Sequence, residues 1–358
     1  MSNDTILLSK ADLAALVQQL CAKGTRVVGP VRNGAPGHEL VDYGVVTDTA
    51  ELVLGGPPPD RPLKPHLLPA TEALFCWRRE QKQVRLEQVG PASRPTVVIG
   101  ARPCDAASLE IMDRVMGWDY RDEPWFERRE GTTVVTLDCP EGDEACFCGS
   151  VGLSPRSTRG ADARLMLTRG GYLLEVLSDK GRALCAELPA HSRNKVPSAE
   201  EGTPICTGAQ TRTDIDPAHV RSWLESHFDD PCWAVLGVRC HGCGACAAVC
   251  PTCHCFDIVD EPEGIDSGTR RRNWDTCQTA LFTLHGSGHN PRKDQAARLR
   301  QRVNHKFAIY PRRFDEILCT GCGRCIRVCP AGIDLIEILK DLGQRTTAEP
   351  RGYRRAQR

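Results

Sequence analysis

The chain has 358 residues, 46 basic against 46 acidic side chains, ordinary apolar content and 20 cysteines. That length favours more than one domain, each with a core of its own. The balanced charge argues against a nucleic-acid partner, and no apolar stretch approaches the length that spans a bilayer. The first residues lack a basic stretch followed by an apolar run, so no secretory signal is expected and the cysteines read as reduced thiols of a cytoplasmic protein.

In chain order, the spacing predicts an amphipathic helix over 9–23. Ser9 and Asp12 stand at capping-box spacing, and Leu13, Leu16, Val17 and Leu20 share one face. Short strands are expected at 26–31 and 40–46, followed by a Gly- and Pro-rich loop that opens at Gly55. A strand at 96–100, a helix at 105–116 and a strand at 132–137 make a βαβ pattern, which implies a parallel sheet. Residues 165–168 and 172–177 read as a hairpin about Gly170 and Gly171. The polar stretch 189–215 reads as a connection, and a helix is expected to start near Asp216. Further helices are expected near 275–284, 294–307 and 333–342. The expected fold is a multidomain α+β protein. An α/β domain with a partly parallel sheet occupies 1–229, a helical dicluster ferredoxin-like domain 230–345, and a basic tail 346–358.

Two cysteine runs dominate the chemistry. Cys240, Cys243, Cys246 and Cys250, followed by Pro251, form one; Cys319, Cys322, Cys325 and Cys329, followed by Pro330, form the other. Both have the C-x2-C-x2-C-x3-C-P spacing that holds a [4Fe-4S] cluster, and in two-cluster ferredoxins the fourth cysteine ligates the other cluster. The expected ligands are therefore Cys240, Cys243, Cys246 and Cys329 for cluster one, and Cys319, Cys322, Cys325 and Cys250 for cluster two. Gly242, Gly244, Gly321 and Gly323 permit close backbone approach. The alternative, two structural zinc sites, favours paired CxxC hairpins rather than three thiols in seven residues. The long stretch between the runs is basic, with Arg270, Arg271, Arg272, Arg292, Lys293, Arg298, Arg300, Arg302, Lys306, Arg312 and Arg313. These read either as a solvated helix face or as charges that tune cluster potential or dock a partner.

A second group of thiols follows the parallel-strand pattern. Cys104 comes just after the strand at 96–100, and Cys139 just after the strand at 132–137, with Cys146 and Cys148 close behind. Parallel strands end at one sheet edge, where ligand sites gather, so these four thiols are candidates for a third [4Fe-4S] cluster; the alternative is a set of buried thiols in a packed loop. Cys253, Cys255 and Cys277 are candidates for packing around cluster two, for an unusual metal site or for an electron path. Cys21, Cys76, Cys185, Cys206 and Cys232 are scattered and read as buried residues. The chain has no dinucleotide fingerprint, P-loop, HExxH or GxSxG sequence, so it is not expected to oxidise NAD(P)H itself, and no catalytic residue is assigned.

The chain resembles the beta subunits of cytoplasmic sulfhydrogenases, the NAD(P)-linked [NiFe] hydrogenases, a family that includes the A subunit of anaerobic sulfite reductase. The resemblance rests on Arg102-Pro103-Cys104-Asp105, Cys139 with Cys146-Phe147-Cys148, both cluster runs, Thr252-Cys253-His254-Cys255-Phe256, the segment Arg272 to Cys277, and His305-Lys306-Phe307. It implies an iron–sulfur subunit that relays electrons from a flavin subunit handling NAD(P)H to the small and large subunits of a [NiFe] hydrogenase. In the other branch the partner is a siroheme sulfite reductase subunit. Two readings of other classes remain: a stand-alone reductase acting at Cys104, Cys139, Cys146 and Cys148, and a zinc-bearing structural protein.

Overall fold

The computed structural model describes residues 5–35, 37–89, 94–193, 203–205 and 211–345. Cys206, the basic tail 346–358 and most of the expected connection 189–215 lie outside them. The chain forms two compact units that interleave along the sequence. One comprises Met1–Leu68, Pro91–Thr211 and Thr320–Cys322; the other comprises Pro69–Gly90, Arg212–Cys319 and Gly323–Arg358. The two units therefore do not follow a single linear boundary near 229. Residues 69–90 join the second unit, and three residues of the second cysteine run join the first.

Eleven strands occur among the described residues: β1 (Thr5–Leu8), β2 (Arg26–Asn33), β3 (Leu40–Val45), β4 (Thr71–Glu80), β5 (Gln83–Gln88), β6 (Thr96–Ala101), β7 (Thr132–Leu137), β8 (Ala163–Thr168), β9 (Gly171–Val176), β10 (Phe256–Pro262) and β11 (Ser267–Trp274). The first unit holds a seven-stranded sheet in the order β1-β9-β8-β7-β6-β2-β3. Its central strands β8, β7, β6 and β2 are parallel, and β3, β9 and β1 add antiparallel edges. The β-branched residues of β6 and β7 are buried, as expected of strands covered on both faces. The helix Lys10–Ala22 buries Leu13, Leu16, Val17 and Leu20 in the core against this sheet, with the Ser9–Asp12 capping box closed as its spacing predicts. The helix Pro103–Met116 buries Leu109, Ile111 and Met112.

At the end of β6, the pairing with β7 slips between Ile99 and Ala101, where Gly100 takes φ +79°. A Cβ there would meet the Leu54 side chain at 2.6 Å. Such a bulge re-aims the chain at a strand end. Here it delivers Arg102 and the start of the Cys104 helix.

The second unit, expected as a helical ferredoxin-like domain, carries strands as well as helices. It contains a four-stranded antiparallel sheet in the order β10-β11-β4-β5. Two of its strands, β4 and β5, come from the inserted segment 69–90, for which no element is expected from the sequence. The stretch 275–284 forms turns rather than a helix. The expected helices near 216, 294 and 333 are present as Pro217–Ser226, Gln295–Asn304 and Leu335–Gln344.

Arg272 on β11 and Glu72 on β4 face each other across register partners and form a buried ion pair, with Nε 2.8 Å from Oε1. A buried pair adds little over an apolar replacement, but removing one partner strands a charge. Glu72→Ala is therefore expected to destabilise the protein by about 3–5 kcal/mol. The double variant Glu72→Leu with Arg272→Met should recover most of that loss, as read from the thermal unfolding midpoints of the anaerobic protein.

Candidate iron–sulfur sites

The two cysteine runs adopt the same local backbone. Gly242 and Gly321 have φ of +68° and +64°, and Gly244 and Gly323 have φ of +75° and +73°. Residues with side chains are strained in this left-handed region. The chain therefore turns inward twice within each run, as the Cys-x-Gly-Cys-Gly spacing anticipates. A short helix follows in each case, Ala245–Ala248 and Arg324–Arg327. The Cys250 N–H then donates to the Ala247 carbonyl at 3.2 Å, and the Cys329 N–H to the Ile326 carbonyl at 3.2 Å.

In the second unit, Cys240, Cys243, Cys246 and Cys329 line one cavity, about 610 Å³ of non-protein space including its mouth. These are the four thiols that spacing assigns to cluster one. Cys325, which spacing assigns to cluster two, lines the same cavity, together with Gln278, Arg302 and apolar side chains such as Leu299 and Ile338. The Ile333 N–H donates to the Cys329 sulfur at 3.3 Å, the kind of contact that stabilises a thiolate ligand. Cys322 instead lines a cavity of the first unit.

Among the described residues no three His, Cys, Asp or Glu side chains stand close enough to share one metal ion. Ligands of a single tetrahedral zinc stand about 3.8 Å apart, from a Zn–S length of about 2.3 Å. Thiols on a cubane bind separate iron corners, so they ring a larger core. A cavity with thiols around its wall fits that group.

The electrostatics come from the helix Gln295–Asn304, which continues into a π-helical stretch, His305–Ile309. Arg298, Arg302 and Lys306 recur every four residues, and all three are buried. Arg302 is 5% exposed and Lys306 3%. Lys306 Nζ donates to the Cys250 sulfur at 3.3 Å, to Thr252 Oγ1 at 3.1 Å and to the Leu318 carbonyl at 2.9 Å. Arg302 donates to the Cys253 sulfur at 3.4 Å and to the Cys246 carbonyl at 3.0 Å. Among the described residues neither cation has a carboxylate partner. Burial alone would discharge them. The sulfurs of Cys246, Cys253, Cys325 and Cys250 around Arg302, and of Cys250, Cys253 and Cys319 around Lys306, outweigh burial and keep both charged.

The three unassigned cysteines lie in this neighbourhood. The Cys253 thiol hydrogen-bonds to Cys250 and pulls the Cys250 thiol well below its ordinary range, helped by Lys306 and Arg302. Cys253 itself is pushed up, first by holding that proton and then by burial. The β10–β11 ladder ends at Phe256 and Trp274; one residue further, the Asp275 N–H donates to the Cys255 carbonyl at 3.0 Å, which brings the 275–278 turn beside Cys255. There the Cys255 thiol hydrogen-bonds to Cys277 and lowers Cys277 to about 5. Gln278 donates to the Cys277 sulfur at 3.5 Å and to the Arg298 carbonyl at 3.0 Å.

In the first unit, Cys104, Cys139, Cys146 and Cys148 line a second cavity, about 350 Å³ of non-protein space including its mouth, which Cys322 also lines. The topology puts them there: Cys104 follows β6, and Cys139 follows β7 on the same side of the sheet. The site is braced from behind. Tyr43 Oη donates to Asp105 at 2.8 Å and accepts from the Arg102 N–H at 3.0 Å. Arg102 Nη2 reaches the carbonyls of Gly55, Gly56 and Pro57. Asp138 takes a two-point contact from Arg164, at 2.6 and 2.7 Å. Burial raises the Cys148 thiol, which donates to Thr211 Oγ1 at 3.4 Å.

Residues that the motifs did not single out are Thr211 and Gln278. Lys306 and Arg302 were visible only as two cations among many. Their shared four-residue spacing with Arg298, together with Leu299 and Val303, marks a buried stripe rather than a solvated one.

Residues 239–333 match the family model of the 4Fe-4S dicluster domain. The chain is also similar to the Sulfhydrogenase 2 subunit beta of Pyrococcus furiosus. It is 28% identical over 324 residues, which cover 88% of this chain and 92% of that protein. The dicluster domain supports a role in electron transfer. Among the described residues no helix is long and apolar enough to cross a membrane.

Reduction adds negative charge to a cluster, so a nearby cation favours it. Lys306→Met is expected to lower the midpoint potential of the cluster nearest Cys250 by on the order of 60 mV, a tenfold change for one electron. Lys306→Arg should restore most of it. An EPR-monitored redox titration measures both, and unchanged potentials in Lys306→Met would remove this role.

Proposed function

We propose that the chain is the iron–sulfur electron-transfer subunit of a cytoplasmic hydrogenase complex. It relays electrons between a flavin subunit that handles NAD(P)H and the small and large subunits of a [NiFe] hydrogenase. The observation that carries this reading is the cavity ringed by Cys240, Cys243, Cys246 and Cys329, inside a segment that matches a dicluster domain. Cluster one is assigned to those four thiols. On spacing, cluster two is assigned to Cys319, Cys322, Cys325 and Cys250. When bound, such clusters accept and release single electrons without bond breaking. The protein's part is to hold the thiolates, exclude water and set the local charge.

The partners follow from what the chain lacks and what it resembles. Its sequence has no fingerprint for a dinucleotide, so electrons from NAD(P)H require another subunit. The similar protein from Pyrococcus furiosus is named as a beta subunit of a sulfhydrogenase, which favours a hydrogen-handling partner over the siroheme one. No side chain of this chain is assigned to bond chemistry.

Anaerobic affinity purification of the full chain from its own host provides the test. It is expected to bring down a nickel-containing subunit and a flavin-containing subunit, with hydrogen-dependent NAD(P) reduction in the eluate. The isolated chain should show iron, acid-labile sulfide and a reducible EPR signal, but no turnover. Cys246→Ser is expected to lower transfer between the partners by at least tenfold while leaving hydrogen oxidation to an artificial acceptor intact. Recovery of a siroheme subunit in place of nickel would redirect the assignment, and zinc without iron would end it.

A further inference from the structure

We propose a third iron–sulfur site outside the dicluster segment, a [4Fe-4S] cluster held in the first unit by Cys104, Cys139, Cys146 and Cys148. The ligands come from three separate stretches of chain: the start of the helix Pro103–Met116, the residue after Asp138, and the loop at Cys146 that runs into the turn Cys148–Val151. Nothing in their spacing brings them together; the parallel pairing of β6 with β7 does. All four line one cavity, three of them buried and Cys148 partly so.

Three further observations favour a cluster over a packed nest of thiols. Buried thiols in a core replace apolar side chains and fill space, as Cys185 does in the hydrophobic core of this unit. These four instead line the wall of one cavity. No three of them stand at single-ion spacing, which excludes a preformed zinc site among the described residues. The third observation concerns charge. A cubane with four thiolates is a buried anion. Cys104 lies in the first turn of a 14-residue helix, where the N-terminal field favours negative charge. Two residues earlier, Arg102 is 1% exposed, and its buried Nε and Nη1 have no hydrogen-bond partner among the described residues. A buried guanidinium at the strand end that delivers Cys104 favours an anion there over a nest of neutral thiols.

Cys322 is the fifth thiol at this cavity. We leave it to the ferredoxin run, whose spacing accounts for it. Its segment nevertheless shapes the site: the Phe147 N–H donates to the Gly321 carbonyl at 2.8 Å, and a Cβ at Gly321 would meet the Cys148 nitrogen at 2.5 Å. The loop carrying Cys146 and Cys148 is thus fixed by close backbone contact.

The test is a metal count on the full chain, purified anaerobically, with Mössbauer and EPR spectra on the same samples. The parent is expected to hold about 12 irons, three clusters of four, and Cys139→Ser about 8. Cys185→Ser should keep the parent's count. The signals of the two ferredoxin clusters report folding in each sample. If Cys139→Ser loses them, Cys146→Ala takes its place, and the parent's own count still decides. A parent with about 8 irons, or variants with unchanged iron, overturns the third site while leaving the electron-transfer assignment in place. A parent without iron overturns both. Zinc in the parent that disappears from Cys139→Ser also overturns the proposed cluster.

Discussion

Two buried cations without carboxylates set the terms for the dicluster unit. Moving a full charge out of water costs several kcal/mol unless an opposite charge meets it. Lys306 and Arg302 meet sulfur instead. That arrangement holds only if the sulfurs carry negative charge, as thiolates or through the iron they bind. The helix Gln295–Asn304 and its π-helical extension can pack inward on this face for the same reason. The cations that make the face polar are neutralised by what they face. A π-helical stretch is often tied to a functional site, and this one carries Lys306 itself.

Much of this was legible in the sequence, and the reasons differ by element. The helix over 9–23 is a local matter: its cap and its apolar face lie within a few residues of each other, so Ser9, Asp12 and Leu13 through Leu20 announce it. The βαβ run at 96–137 is equally local, since buried parallel strands read as unbroken β-branched runs. The sheet of the second unit was not legible. β4 belongs there by pairing with β11, about two hundred positions away in the chain, and its own residues alternate too weakly to call a strand alone. The turns at 275–284 misled for a related reason. Their apolar residues, such as Leu281 and Leu284, suggest a helical face, yet both side chains are exposed.

The candidate sites divide in the same way. A ferredoxin run is a backbone device, and its glycines and thiols all sit within eleven residues, so both runs could be read directly. The four thiols of the first unit could be proposed only through topology, because the strand ends that gather them are fixed by pairing. The ring of supporting groups was invisible. Thr211 reaches Cys148 across 63 positions, and Gln278 reaches the Arg298 carbonyl across 20. Such contacts leave no pattern in a single sequence.

Two ways of meeting a cation can be compared in this protein, and the distinction carries functional meaning. Buried Arg272 is met by Glu72 on the neighbouring strand and half-buried Arg164 by Asp138 just after one, each with the two-point geometry typical of Arg. They tie strands together and leave no charge over. Arg302 and Lys306 lack such a partner among the contacts described, and each stands beside cysteines rather than acids. A carboxylate in their place would bring its own fixed negative charge next to the sulfurs, and would oppose electron arrival there. A cation balanced by sulfur alone does the reverse. It holds the thiolates when the cluster is oxidised and gains attraction when an electron arrives. A Lys and an Arg without carboxylates at these two positions, in a chain that meets buried Arg272 with Glu72, is what a protein built to accept electrons requires.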